Sequence, residues 1–184
     1  MQRKRLSDPK TRAKLLAAAR QAFTEKGYAN AGTRDIAALA GVSSTLMFRY
    51  FSSKASLFEA MLVEFAPLEK IVFGVRRDRF GAHLARYILK FNADALFAST
   101  FALAIGQPDA RKVAIRFASK QVLAPLADWL GPPNAKVRAL QIIMIAAGFQ
   151  MYARQLPLLP SATRLNTPLA RWFAGAVQAI VDQL

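Results

Sequence analysis

The chain has 184 residues, 54% of them apolar, which is enough for one compact domain or two closely packed ones with a core of their own. It contains no cysteine, which excludes a disulfide framework, a thiolate metal site and a Cys nucleophile, and fits a reducing, cytoplasmic setting. With 26 Lys and Arg against 11 Asp and Glu, a net charge of +15, the expected partner is a polyanion.

The charge is unevenly spread. Residues 1–54 carry 11 basic and 3 acidic side chains, and residues 55–184 carry 15 and 8. The start, Met1-Gln2-Arg3-Lys4-Arg5, leads into a charged, Ala-rich amphipathic stretch and does not read as a signal peptide. The most apolar run, Ala139 to Ala153, contains Gln141 and Gln150 and falls short of the roughly 20 residues that span a bilayer. No membrane association is expected. Period-2 alternation is missing and apolar residues recur at helical spacing, so the chain reads as all-α with about nine helices.

In chain order, a basic N-terminal arm with Arg3, Lys4 and Arg5 precedes a first helix over Pro9 to Lys26, whose apolar face is Leu15, Leu16, Ala19, Ala22 and Phe23. Gly27 suits the position just past its end. Thr33 reads as the N-cap of a second helix bearing Ile36, Ala37, Leu39 and Ala40. Gly41 makes a tight turn, Ser43 caps a third helix over Ser44 to Tyr50, and Ser52 or Ser53 caps a fourth from Lys54 into Phe65. Pro67 ends that helix and 67–78 reads as a hinge. Helices follow over Arg79–Ala93, Ala95–Ile105 and Ala110–Leu130, the last kinked at Pro125. Asn134 caps a helix to about Gln155, and Pro168 opens the terminal one.

The second and third helices are too short to stand alone. Packed steeply through Ile36, Ala40, Val42, Met47 and Phe51, they form a helix-turn-helix whose second helix turns Ser44, Thr45, Leu46 and Arg49 outwards, where a helix can enter the DNA major groove. Tyr50 and Phe51 fit core aromatics better than base-stacking platforms, since duplex binding needs none. An N-terminal domain over 1–54 and a C-terminal domain over 55–184 are expected.

The stretch Thr33, Ile36, Ala37, Ala40, Gly41, Val42, Ser43, Met47, Phe48, Tyr50, Phe51, Ser53 and Lys54 resembles the signature of the tetracycline-repressor (TetR) family of transcriptional regulators. The motif resemblance covers about residues 11–60, and beyond it length and helical pattern agree. It implies phosphate contacts from Thr33 and Lys54, with Ser43 and Tyr50 in the same surface, and base contacts from Thr45, Leu46 and Arg49. The arm of Arg3, Lys4 and Arg5 can follow the backbone or enter the minor groove. Phe48 stands where the family pattern has Tyr and lacks its hydroxyl. Ser44 stands where Lys is common and Thr45 where Gly is common, so this recognition helix is less basic than the pattern.

The resemblance also implies a C-terminal ligand-binding and dimerisation domain. Leu140, Ile143, Ala147 and Met151 on one helix and Leu169, Trp172, Phe173, Ala176 and Ile180 on the other make opposed apolar faces suited to a homodimer. Phe65, Phe91, Phe97, Phe101, Phe117, Met144, Phe149 and Tyr152 are candidates either for ordinary core or for a pocket taking a small apolar or amphipathic inducer.

No glycine-rich phosphate loop, metal spacing or nucleophile with a base is present, and the single histidine, His83, makes neither a metal site nor a triad. The expected protein is not an enzyme and needs no cofactor or metal. It is a repressor that binds a palindromic double-stranded operator as a homodimer. The reading set against it is a basic helical adaptor for acidic protein or membrane surfaces, which would show no sequence preference for DNA.

Overall fold

The computed structural model describes residues 8–65, 74–90, 104, 106–156, 158–159, 164–165 and 167–183, and all regular structure among them is helical. The chain groups into two compact units, Met1–Ala66 with Thr100–Phe117, and Pro67–Ser99 with Ala118–Leu184.

In the first unit, α1 (Pro9–Asn30) starts where Asp8 accepts from the amides of Lys10 (3.1 Å) and Thr11 (3.2 Å), with Pro9 supplying the helical φ of the first turn. The helix bends at Gly27 (φ 71°, ψ 169°) and runs past the expected end, bringing Tyr28 back onto the core. Then come α2 (Thr33–Leu39), α3 (Ser44–Tyr50) and α4 (Lys54–Phe65). The last two match the sequence reading residue for residue. The N-cap of α2 does not: it is Gly32, and Thr33 is already helical. A Cβ on Gly32 would lie 3.1 Å from the Asp35 carboxylate, so a side chain there would crowd the first turn.

Leu15, Leu16, Ala19 and Phe23 of α1 close this core with Ile36, Met47, Leu57 and Phe58, each of them sealed from solvent. Phe23, Tyr28 and Phe58 form an aromatic trio with centroids 5.1–5.6 Å apart. A further helix, α6 (Pro108–Phe117), belongs to this unit, although it lies far along the chain. Its face of Ala110, Val113, Ala114 and Phe117 is buried and it packs on α4.

The second unit contains a 3₁₀ turn (Arg77–Arg79) leading into α5 (Phe80–Lys90), then α7 (Ala124–Leu130), α8 (Ala135–Gln150) and α9 (Pro168–Val181). Its core comprises Phe80, Leu84, Leu126, Leu130, Ile142, Phe149, Phe173 and Val177. The helix expected over Ala110–Leu130 is three pieces: α6, a π-helical turn (Ala118–Leu123) and α7. Pro125 sits in the first turn of α7, where its missing N–H and its ring are tolerated, and the wide turn before it absorbs the mismatch. A second π-helical turn, Met151–Gln155, ends α8.

Asn134 precedes α8 as expected, but its backbone is left-handed (φ 53°, ψ 30°) and its side chain caps nothing. A capping side chain reaches the free amides from an extended backbone, which Asn134 does not have. The cap of α9 is Thr167, whose hydroxyl accepts from the Ala170 amide (3.1 Å). The helix expected over Ala95–Ile105 lies outside the described residues, apart from Ala104.

Candidate nucleic-acid interface

The turn between α2 and α3 is built from backbone chemistry. The Gly41 amide donates to Ala38 (2.9 Å) and the Val42 amide to Ala37 (2.9 Å), a pair of bonds that closes the C-terminus of α2. This closure needs positive φ at Gly41 (70°), which a residue with a Cβ adopts only under strain. Two residues later the Ser43 hydroxyl accepts from the Leu46 amide (3.2 Å) and starts α3. The chain therefore reverses within four residues, between two helices pinned by Ile36 and Met47.

With Met47 buried, the opposite side of α3 is fixed. Thr45, Phe48 and Arg49 are exposed, Phe48 at 46%. Ser44, Leu46 and Tyr50 are half-buried, so Leu46 presents less of itself than expected. The Tyr50 ring lies 6.4 Å from that of buried Phe51. Thr33, half-buried, opens α2 on the same stretch of chain, next to exposed Arg34. Arg3, Lys4 and Arg5 lie outside the described residues.

Lys54 opens α4, as the motif requires, but its ammonium is engaged within the unit. It donates to the Ala29 carbonyl (3.2 Å) at the end of α1 and sits 4.6 Å from the centre of the Tyr28 ring. Partial burial there pulls its pKa below the usual lysine value. Lys54 thus ties α1 to the start of α4, a role that nothing in the local sequence announces. Ser53 and Ser56 cap α4 reciprocally, each hydroxyl accepting from the other's amide at 3.0 Å.

The described residues expected to line a pocket are divided between the two units. Phe65 lies under the Arg20 guanidinium at 4.7 Å and Phe117 is buried in α6, both in the first unit. In the second unit Phe149 is buried and stacked on Phe173 at 4.1 Å. Met144 (65% exposed) and exposed Tyr152 stand at the surface. Phe91, Phe97 and Phe101 lie outside the described residues.

Of the expected dimer face, Leu140, Ala147 and Trp172 (60%) are exposed, and Ile143, Met151, Leu169 and Ala176 are half-buried. Phe173 and Ile180 are core residues of their own chain, because α9 turns Ala170, Phe173, Val177 and Ile180 inwards. The exposed stripe of α8 is instead Val137, Leu140, Met144 and Ala147, at spacings of three and four.

Comparison with known proteins gives this surface its context. Residues 15–61 match the family model of bacterial regulatory proteins, tetR family, and residues 78–181 match that of the tetracyclin repressor-like C-terminal domain. The HTH-type transcriptional activator FasR of Mycolicibacterium smegmatis is 40% identical over 73 residues, covering 40% of this chain and 32% of FasR. The chain therefore spans about a third of that relative's length. A TetR-family regulator from Streptomyces coelicolor superposes with a TM-score of 0.61 at 26% identity, covering 96% of this chain and 97% of that one. The regulator FadR of Bacillus subtilis, solved with stearoyl-CoA, shares the fold with a TM-score of 0.65 at 13% identity, covering 94% and 98%. Among the described residues no helix is long and apolar enough to cross a membrane.

Proposed function

The chain belongs to the TetR family of bacterial regulatory proteins, and we propose that this DNA-binding transcriptional regulator is a homodimeric repressor, holding a palindromic operator and released by a small apolar or amphipathic inducer. The observation that carries the proposal is the orientation of α3, with Met47 buried and Thr45, Phe48 and Arg49 outward. Arg49 has the two-pronged donor geometry that reads guanine, and Thr45 and the Phe48 ring offer apolar contact to thymine methyl groups. Thr33 and Ser43 add backbone contacts that hold the register, as does the arm of Arg3, Lys4 and Arg5. Action on DNA implies a cytoplasmic protein.

Two further observations favour the finer parts. The exposed stripe of Val137, Leu140, Met144 and Ala147, with Trp172 of α9, is the kind of apolar face that a second copy covers across a two-fold axis. A dimer presents two recognition helices, and a palindrome offers two half-sites. The inducer reading draws on the FadR fold, which accommodates a long acyl thioester. It also draws on a second unit rich in apolar helices. Inducer binding would shift the population towards a spacing of the two α3 helices that misfits the operator.

Selection of bound duplexes from a random pool tests the reading. The enriched site should be palindromic and bind about a thousandfold more tightly than random duplex. Equal affinity for both would favour the basic adaptor instead. A reporter placed behind the selected site reads the sign of regulation: expression falls when a repressor is supplied and rises for an activator, which is what FasR is named as.

A further inference from the structure

The helix-turn-helix supplies few cations for a protein of this charge. Arg49 is the only basic residue of α3, and the Lys54 ammonium is turned onto Ala29 and Tyr28. Non-specific DNA affinity comes from cations that neutralise phosphates, so a regulator with a weakly basic recognition helix needs them elsewhere.

The first unit holds such cations on α6. The face of Ala110, Val113, Ala114 and Phe117 is buried, which leaves Arg111 and Lys112 on the exposed side together with Ile115. Rotation of α6 about its axis is fixed by Arg116, whose guanidinium holds the Glu59 carboxylate of α4 through two bonds of 2.7 Å. Arg111 and Lys112 have no ion-pair partner among the described residues.

The end of the unit at which they stand follows from chain order, two contacts and the field of one charge. Only three residues separate the end of α3 from the start of α4, so the Lys54 end of α4 is the one beside the recognition helix. Lys54 lies over the Tyr28 ring, and Tyr28 packs on Phe58 at 5.1 Å. Asp109, in the first turn of α6, is near enough that its charge, after burial, helps to raise the Tyr28 pKa. The start of α6 therefore stands at the Lys54 end of α4, with Arg111 and Lys112 within its first turn and the next.

We propose that Arg111 and Lys112 are DNA-backbone contacts outside the helix-turn-helix, a second phosphate clamp contributed by α6 to the DNA-binding unit. The clamp rests on the DNA-binding reading above and adds to it residues that the family's DNA-binding motif does not contain. It carries no sequence information, so it strengthens binding to every duplex alike.

The test uses the full chain and a 30-base-pair duplex of random sequence, with affinity followed from low to moderate salt. Each lost phosphate contact lowers the magnitude of the slope of log affinity against log salt by about 0.9. Arg111→Ala with Lys112→Ala should lower it by about 2 per protomer and weaken binding at least about tenfold at moderate salt. The ratio of selected to random affinity should stay unchanged. A charge-matched control, Lys90→Ala with Lys136→Ala, removes two exposed cations of the second unit and should leave the slope as in the parent. An unchanged slope in the first variant, or equal losses in both, overturns the clamp and leaves the DNA-binding reading intact. A parent chain that fails to bind any duplex overturns both. Both variants alter exposed side chains only, and an unchanged unfolding midpoint verifies that the fold is retained.

Discussion

The guanidinium groups of Arg77 and Arg138 share two acceptors, the carbonyl oxygens of Leu130 (2.8 and 3.3 Å) and Val181 (3.3 and 3.4 Å). These carbonyls end α7 and α9, where unpaired C=O groups carry the negative ends of the helix dipoles. Arg138 also donates to Ile180 (3.2 Å), Pro133 (3.1 Å) and Gly131 (3.4 Å), and it is 2% exposed. Among the described residues no carboxylate bonds either group, so the charge of Arg138 is held by backbone carbonyls alone.

Replacing Arg138 with Met keeps the volume and removes the donors, stranding several buried carbonyls. Loss of about 2–4 kcal/mol is expected from urea unfolding. Arg77→Met, at an exposed position where water can replace the guanidinium, should cost less than half as much. Equal losses would mean that shared acceptors, and not burial, set the cost.

Gly81 of α5 is the point of closest approach to α9. A Cβ there would meet the Ala174 carbonyl and come within 3.0 Å of the Gln178 amide nitrogen. The Gly81 amide donates to the Gln178 side chain at 3.0 Å. Gly81→Ala must push α5 from α9 and is expected to destabilise by about 1–3 kcal/mol, despite the better helix propensity of alanine. A raised melting temperature would show that the two helices can part without cost.

Arg49 and Lys54 should separate in DNA binding. Arg49→Ala is expected to relax preference at one base position, with a loss of about 1–3 kcal/mol on the selected site and little on random duplex. Lys54→Ala should leave the ratio of selected to random affinity unchanged and lower stability by about 1 kcal/mol, because the Ala29 carbonyl loses its donor. An Arg49 variant with unchanged site preference would mean that α3 faces DNA differently.

The dimer proposal is tested at Met144 and Trp172. Met144→Glu places a charge in the exposed stripe of α8 and should shift the monomer–dimer equilibrium by at least a hundredfold towards monomer in sedimentation, as should Trp172→Glu. Both positions are already open to solvent within the chain, so the fold should survive. A parent chain that sediments as a monomer removes the proposal.

His83 gives a pH signature free of other histidines. Its Nε2 is buried with no hydrogen-bond partner among the described residues, and burial, followed by the charge of Arg86, pulls its pKa below the usual value of about 6.5. The unfolded chain then takes up a proton near pH 6.5 that the folded chain refuses until lower pH. Stability should therefore fall as the pH drops through 6.5 and level off below the folded pKa. His83→Gln should flatten that slope. A parent whose stability is flat between pH 7 and 5 would contradict the assigned direction.

The helix-turn-helix was legible because its determinants are local. Gly41 and Ser43 act through bonds that reach no more than five residues, and Ile36, Met47 and Phe51 are placed by helical spacing. The misassignments have the same physics seen from outside. Thr33 and Asn134 are good capping residues by type, but the backbone angle that lets a cap work is set by neighbouring packing. Phe173 and Ile180 lie on an apolar face of α9 that the pattern cannot assign to a second copy or to the chain's own α5 and α8.

Composition, spacing and turn chemistry were thus enough for the all-α class, the boundaries of α3 and α4, and the motif from Thr33 to Lys54, since each depends on residues a few positions apart. Only the tertiary structure decided that α6 joins the first unit, that Lys54 turns onto Tyr28, and that Arg138 is buried against two helix ends. Those outcomes depend on which distant segments converge, and the energy of a buried charge or a shared helix face depends on its neighbours rather than on its place in the chain.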